Sequence, residues 1–143
     1  MSQVQPNSGG VEMDGMREMT RVWRVVAVDE DNAHVFPWGS IQWLCDGQMF
    51  ADAQQTFGYV RIEPGVKNPR HLHPNSDEVL LLLEGELQHS LGEESHQLLP
   101  GMAIHIPQGV EHDARNTGAV TARMVVAYPT SDRRVVMREE GQE

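Results

Sequence analysis

Three histidines and one glutamate stand at spacings that suit a single divalent metal. His71 and His73 lie two residues apart in RHLHPNSDE, Glu78 closes that segment, and His112 sits in IPQGVEHDARN. Imidazole nitrogens with one carboxylate form a donor set for a first-row transition ion. Residues i and i+2 of a strand point to one face, roughly 7 Å apart along it, so His71 and His73 can serve one ion from one strand. Glu78 follows the turn-forming stretch Pro74-Asn75-Ser76-Asp77 and opens the run EVLLLLEG. It is therefore expected at the start of the next strand, beside its predecessor, as in a hairpin. His112 has to be delivered from elsewhere in the fold.

The elements that position these residues read as strands. RVWRVVAV, HVFPWGSIQWL, QQTFGYVRIEPG, EVLLLLEGELQHSL, SHQLLPG, MAIHIPQG and TARMVVAYP are rich in β-branched and aromatic residues, and Gly and Pro punctuate them. Short strands with turn signals every ~8–12 residues indicate an all-β sandwich or barrel. Both alternating faces of EVLLLLEG are apolar, Val79, Leu81 and Leu83 on one and Leu80 and Leu82 on the other. One face looks into the domain, and the other needs a second layer or another subunit over it. Residues 1–20 are polar and carry Met13, Met16 and Met19; they read as a flexible arm whose methionines cover apolar surface. Residues 21–130 form a single domain. Residues 131–143, SDRRVVMREEGQE, read as a charged peripheral tail in which VVM is able to pack on a neighbour.

The chain has 143 residues, enough for one domain with a sizeable core. Cys45 is its single cysteine, which fits a reducing, cytoplasmic setting. The first residues lack a basic-then-apolar leader pattern, and the longest apolar run, at 79–83, is far too short to span a bilayer. With 11 basic and 21 acidic residues the net charge is −10, which argues against nucleic acid as a partner.

The glycines and prolines around the four candidate ligands complete two motifs. The first runs Gly65, five residues, His71-Leu72-His73, four residues, Glu78, six residues, Gly85. The second runs Gly101, five residues, Pro107-Gln108-Gly109, two residues, His112, three residues, Asn116. In this pair of motifs, complete and in order over residues 65–116, the chain resembles the cupin superfamily of small single-domain metal-binding proteins. The resemblance implies a double-stranded β-helix, or jelly-roll barrel, of two antiparallel sheets. It implies one metal per chain inside the barrel, held by His71, His73, Glu78 and His112, with Fe, Mn, Ni, Zn, Co and Cu all compatible. Gly65, Gly85, Gly101 and Gly109 read as turn residues, Pro107-Gln108-Gly109 as the turn that delivers His112, and Asn116 as a turn anchor.

Four protein ligands leave about two positions of an octahedral ion for water, dioxygen or a chelating substrate. A dication beside one carboxylate favours an anionic oxygen ligand. An inward Glu78 sends Leu80 and Leu82 inward as well. Met124 and Tyr128 share a face of one strand, and Tyr59 and Arg61 share a face of another that is either inward or outward. His105 either lines the cavity or meets a subunit interface. The candidate pocket residues are therefore Tyr59, Arg61, Leu80, Leu82, His105, Met124 and Tyr128. Trp38 and Trp43 read as core or rim packing, and His34, His89 and His96 as ordinary packed or surface residues. Two functions fit: a metal-dependent enzyme of dioxygenase, isomerase or lyase type on a small oxygen-rich metabolite, or a non-catalytic ligand-binding or sensing module. The enzyme reading is preferred, because a reachable metal with open positions is costly to maintain unless something binds there. The doubly apolar strand at 79–83 points to a homodimer.

Overall fold

The alternation of apolar and polar residues becomes strands in a computed structural model, which describes the backbone of residues 21–22 and residues 24–138 in full. The arm at 1–20 lies outside these residues. In chain order the strands are β1 (Arg21–Val22), β2 (Val25–Val26), β3 (His34–Phe36), β4 (Gly39–Cys45), β5 (Thr56–Ile62), β6 (His71–Leu72) and β7 (Glu78–Glu84). After these come β8 (Leu87–Leu91), β9 (Glu94–Leu98), β10 (Ala103–Ile106), β11 (His112–Asn116), β12 (Ala122–Tyr128) and β13 (Val136–Met137). One sheet has the order β10-β7-β12-β5-β4-β3, the other β13-β6-β11-β8-β9, and β1 pairs with β2 alone. All pairings are antiparallel. The jelly-roll expectation holds.

Inward residues from the two larger sheets make the core. Ile62, Leu82, Leu87, Leu98, Ile104 and Ala122 fill one end of the sandwich. Toward the other end the same strands turn in Glu78, Leu80, Met124, Val126 and Tyr128, and there the space is hollow. Register puts Met124 opposite Leu82 and Val126 opposite Leu80, so packed core grades directly into cavity wall.

The hairpin expected between His73 and Glu78 does not form. β6 belongs to the five-stranded sheet and β7 to the six-stranded one. Residues 74–77 carry the chain across the gap, so Glu78 faces the histidines from the opposite wall. A local turn signal indicates that the chain reverses but not which sheet it joins. Residues 131–138 do not trail away from the barrel. Val136 and Met137 pair with Leu72 and His71, and the Arg138 N–H bonds the Arg70 carbonyl at 3.0 Å. This strap lies against the hollow end.

Two turn positions illustrate how the frame is held. Gly85 has φ +94°, and a Cβ there would meet the Ala122 backbone at 2.9 Å, so only glycine fits between β7 and β8. Asn116, at the end of β11, is fully buried. Its Nδ2 donates to the carbonyls of Ile62 and Val120 at 2.9 and 2.8 Å, and its Oδ1 accepts from the Gly118 N–H at 2.8 Å. Replacing Asn116 with Ala leaves those groups unpaired and is expected to cost about 3 kcal/mol in urea unfolding followed by circular dichroism. A cost below about 1 kcal/mol would contradict this role.

Candidate metal centre

Four side chains from both sheets converge at the hollow end. β6 and β11 pair with His112 directly opposite His71, which brings those rings to a centroid distance of 4.2 Å. The turn before β11 is pinned to the same place by the Gly109 N–H, which bonds the His73 carbonyl at 2.9 Å; Gly109 has φ +81°. One nitrogen from each of His71, His73 and His112 lies within 4.8 Å of the others. From the opposite wall, Glu78 Oε1 stands 3.2 Å from His73 Nε2 and 3.3 Å from His112 Nε2.

Backbone carbonyls set which nitrogen of each ring is available. Nδ1 of His71 donates to Pro69 O at 2.7 Å, that of His73 to Arg134 O at 2.7 Å, and that of His112 to Val110 O at 2.8 Å. A carbonyl only accepts, so each Nδ1 carries the proton and the neutral ring presents its Nε2 lone pair. His73 Nε2, His112 Nε2 and Glu78 Oε1 are buried and make no hydrogen bond. Lone pairs and a carboxylate oxygen gathered without a donor repel one another and are stabilised by a cation placed between them. The donor set therefore fits a divalent metal, which His71, His73, His112 and Glu78 would hold.

Positive charge among these groups decides how the carboxyl titrates. Burial opposes the charge on Glu78, but N–H donation and positive charge from His112 and His73 would outweigh it and hold the carboxyl well below the usual range; with those rings neutral, a bound cation would take that part. Burial foremost, and then His112, brings His71 down to about 4. The ring therefore stays neutral, with its lone pair available, through the physiological range. Burial, with Glu78 alongside, pushes the Tyr128 hydroxyl well above its ordinary range.

A cavity of about 470 Å³ opens beside the cluster. Trp38, Trp43, Leu80, Met124, Val126 and Tyr128 supply much of its largely apolar wall. Of the candidate pocket residues, Leu80, Met124 and Tyr128 line it. Leu82 points inward but is wholly enclosed in the core. Tyr59 and Arg61 lie on the outer face of β5, where Glu30 accepts bonds from both, at 2.9 and 3.1 Å. His105 also points outward and pairs with Asp77 at 2.8 Å. These last three are corrected: Val60 and Ile62 of β5 and Ile104 and Ile106 of β10 occupy the inward positions, so the residues alternating with them face outward.

Trp38 and Trp43 pack against the core, as read, and also line the cavity. The Trp43 ring lies over Gly58, where a Cβ would be 2.7 Å from Cζ3. His89 is buried against His112, ring to ring at 5.8 Å and nearly parallel, and its Nδ1 donates to Ser90 O at 2.9 Å. Alternation with the inward Leu87 was the signal that could have placed it. Arg133, from the strap, also reaches the wall; VVM marks the tail as able to pack on a neighbour, but nothing points to Arg133.

A family model described as "Cupin domain" matches residues 58–128. The protein SchB of Streptomyces halstedii is 30% identical over 102 residues, 71% of this chain and 74% of its own length. The chain belongs to the cupin family. A second relative, "Polyketide synthase CurC" of Streptomyces cyaneus, is 31% identical over 113 residues, 79% of this chain and 70% of that protein. Among solved structures, a recombinant oxalate oxidase in complex with glycolate superposes with a TM-score of 0.66 at 24% identity. That match covers 71% of this cupin but only 56% of the oxidase chain, and it speaks to the fold alone.

The buried imidazoles make the metal-free protein acid-sensitive. His71 and His89 titrate near 4 when folded and near 6.5 when free, so the unfolded chain takes up protons first as pH falls. Thermal melts of the metal-free protein should show full stability above pH 6.5, a loss of several degrees between pH 6.5 and 4, and no further loss from these two groups below. A melting temperature that is flat over this window would contradict the neutral, buried imidazoles.

Proposed function

We propose that this cupin is a metal-dependent enzyme acting on an aromatic, oxygen-rich small molecule of polyketide type. The observation that carries the reading is the juxtaposition of the three-histidine, one-glutamate cluster with an apolar cavity of about 470 Å³. That volume is within the range of small-molecule sites, and apolar walls with few polar groups suit a flat ring system. A dicarboxylate as small as oxalate would leave most of the wall uncovered. The name of the relative CurC, a polyketide synthase protein, supports the same substrate class.

In this reading a bound divalent metal supplies Lewis acidity toward a phenolic, enolic or carboxylate oxygen of the substrate. The chain supplies everything else. Backbone carbonyls of Pro69, Val110 and Arg134 hold the three imidazoles in the ligating tautomer. Leu80, Met124 and Val126 exclude water, and Trp38 and Trp43 offer flat faces for stacking. The chemistry open to such a site is oxygenation with ring or chain cleavage, isomerisation, or elimination. No helix among the described residues is long and apolar enough to cross a membrane.

A second copy of the chain completes the reading. The outer face of the six-stranded sheet shows Val79 at 43%, Leu83 at 48% and Phe57 at 37% exposure, and no other layer of the described residues covers them. The Glu30, Arg61, Arg123 and Glu84 network borders this patch. An apolar patch with a charged rim matches a self-complementary dimer face.

Metal analysis of protein purified without added metal, followed by oxygen-uptake and mass-spectrometric screens on aromatic polyketides and on oxalate, tests the enzyme reading. The expectation is about one transition ion per chain, conversion of an aromatic substrate, and none of oxalate. His73→Ala should lower metal occupancy at least tenfold. Unchanged occupancy in that variant, or turnover confined to oxalate, would overturn it. Light scattering should give twice the 16.0 kDa chain mass, with Leu83→Asp returning it to a single chain; a wild-type monomer would refute the dimer.

A further inference from the structure

The cavity holds one cation with no evident structural task. Arg133 arrives from the strap, and its guanidinium carbon lies 4.6 Å over the Trp43 ring and 5.4 Å over that of Tyr128. Its Nε is buried and has no hydrogen-bond partner, and no carboxylate pairs with the side chain among the described residues. Neighbouring arginines are used differently: Arg134 reaches Asp132, and Arg138 reaches Glu111. Asp46 and Asp132 line a shallow depression that Arg133 shares on its other side, but neither comes within ion-pair distance of it. Cation–π contacts employ the charge, the Tyr128 hydroxyl lies within hydrogen-bonding reach of the guanidinium, and Nε is left for an acceptor. A half-buried guanidinium facing an apolar space is poorly stabilised until an anion meets it.

The position of Arg133 relative to the metal ligands gives the shape of that anion. The Tyr128 ring neighbours both, with its centroid 5.0 Å from that of His73 and 5.4 Å from the Arg133 guanidinium carbon. The cation and the cluster therefore share one stretch of cavity wall. A fused aromatic system lying along that wall is long enough to meet both.

We propose that Arg133 is the specificity-determining residue of the cavity and that it selects aromatic acids. The ring system stacks along Trp43 and Tyr128, its ionised carboxylate or phenolate accepts from the Arg133 guanidinium, and its opposite oxygen-bearing edge faces His71, His73, Glu78 and His112. This rests on the aromatic-substrate reading of the same site and adds a second recognition point to it. Arg and carboxylate make paired hydrogen bonds, so Lys is only a partial substitute.

Calorimetric titration with 2-naphthoate and with the neutral 2-naphthamide tests the assignment. It uses wild type, Arg133→Met, Arg133→Gln and Arg133→Lys, each metal-free and Zn(II)-loaded. Wild type should bind the acid at least tenfold more tightly than the amide in both metal states. Arg133→Met and Arg133→Gln should each lose that preference while holding the amide within about twofold, and Arg133→Lys should recover part of it. Thermal melts identify any variant that fails to fold, and either neutral variant alone suffices. An acid-to-amide ratio unchanged by the neutral substitutions overturns the proposal. So does a ratio that vanishes when metal is removed, since the metal would then be choosing the anion, and so does failure of wild type to bind either probe. Because the metal-free arm reads Arg133 directly, a protein that took no metal would sink the enzyme reading while still deciding this one.

Discussion

A carboxylate buried among imidazole lone pairs is the arrangement around which this barrel is organised. Glu78 is 4% exposed, and its inner oxygen faces two Nε2 nitrogens whose rings carry their proton on Nδ1, donated to backbone carbonyls. Such a group of acceptors is unfavourable in a dry interior unless positive charge sits among them. The fold tolerates it because neither sheet carries the whole cluster. The histidines come from one wall and the carboxylate from the other, so the backbone ladders that hold each wall are complete without the site.

The supporting hydrogen bonds are almost all to main-chain atoms. Pro69, Val110 and Arg134 each offer a carbonyl to an imidazole, and those carbonyls are set by turns and by the strap. Asn75 ties the turn between the sheets to that strap: its side chain donates to Asp132 O at 2.9 Å and accepts from the Arg134 N–H at 3.0 Å. One asparagine therefore links the crossing that aims Glu78 with the carbonyl that aims His73. Ligand orientation here is a property of the backbone path more than of neighbouring side chains.

The strand pattern was legible because period-two alternation and turn spacing are local regularities; they placed only His71 and His73 on one strand, and the grouping of Glu78 and His112 with them came from the resemblance to cupins. What was illegible depends on long-range partners. The alternation left the face of Tyr59 and Arg61 open; Val60 and Ile62 take the inward side of β5, so Tyr59 and Arg61 face outward, where Glu30, about thirty positions away, accepts bonds from both. His105 faces outward because Ile104 and Ile106 take the inward positions of β10, and there it meets Asp77. The 74–77 turn was evident, but its crossing between sheets follows from how β7 pairs with β10 and β12. His89 was within reach, since it alternates with Leu87, whereas Arg133 was not, since its place is set by β13 joining β6.

The hydrogen bond between His73 and Arg134 spans 61 residues of chain. That separation imposes an order on synthesis and folding. Long-range pairings form late, after the closure entropy of the intervening loop has been overcome. During synthesis all four residues of the cluster are added before the residue that orients His73. A nascent chain thus carries three histidines and a glutamate in an unfinished arrangement, with the cavity still open on the strap side. The orientation of His73 therefore waits for the strap, the last of the described elements to be made.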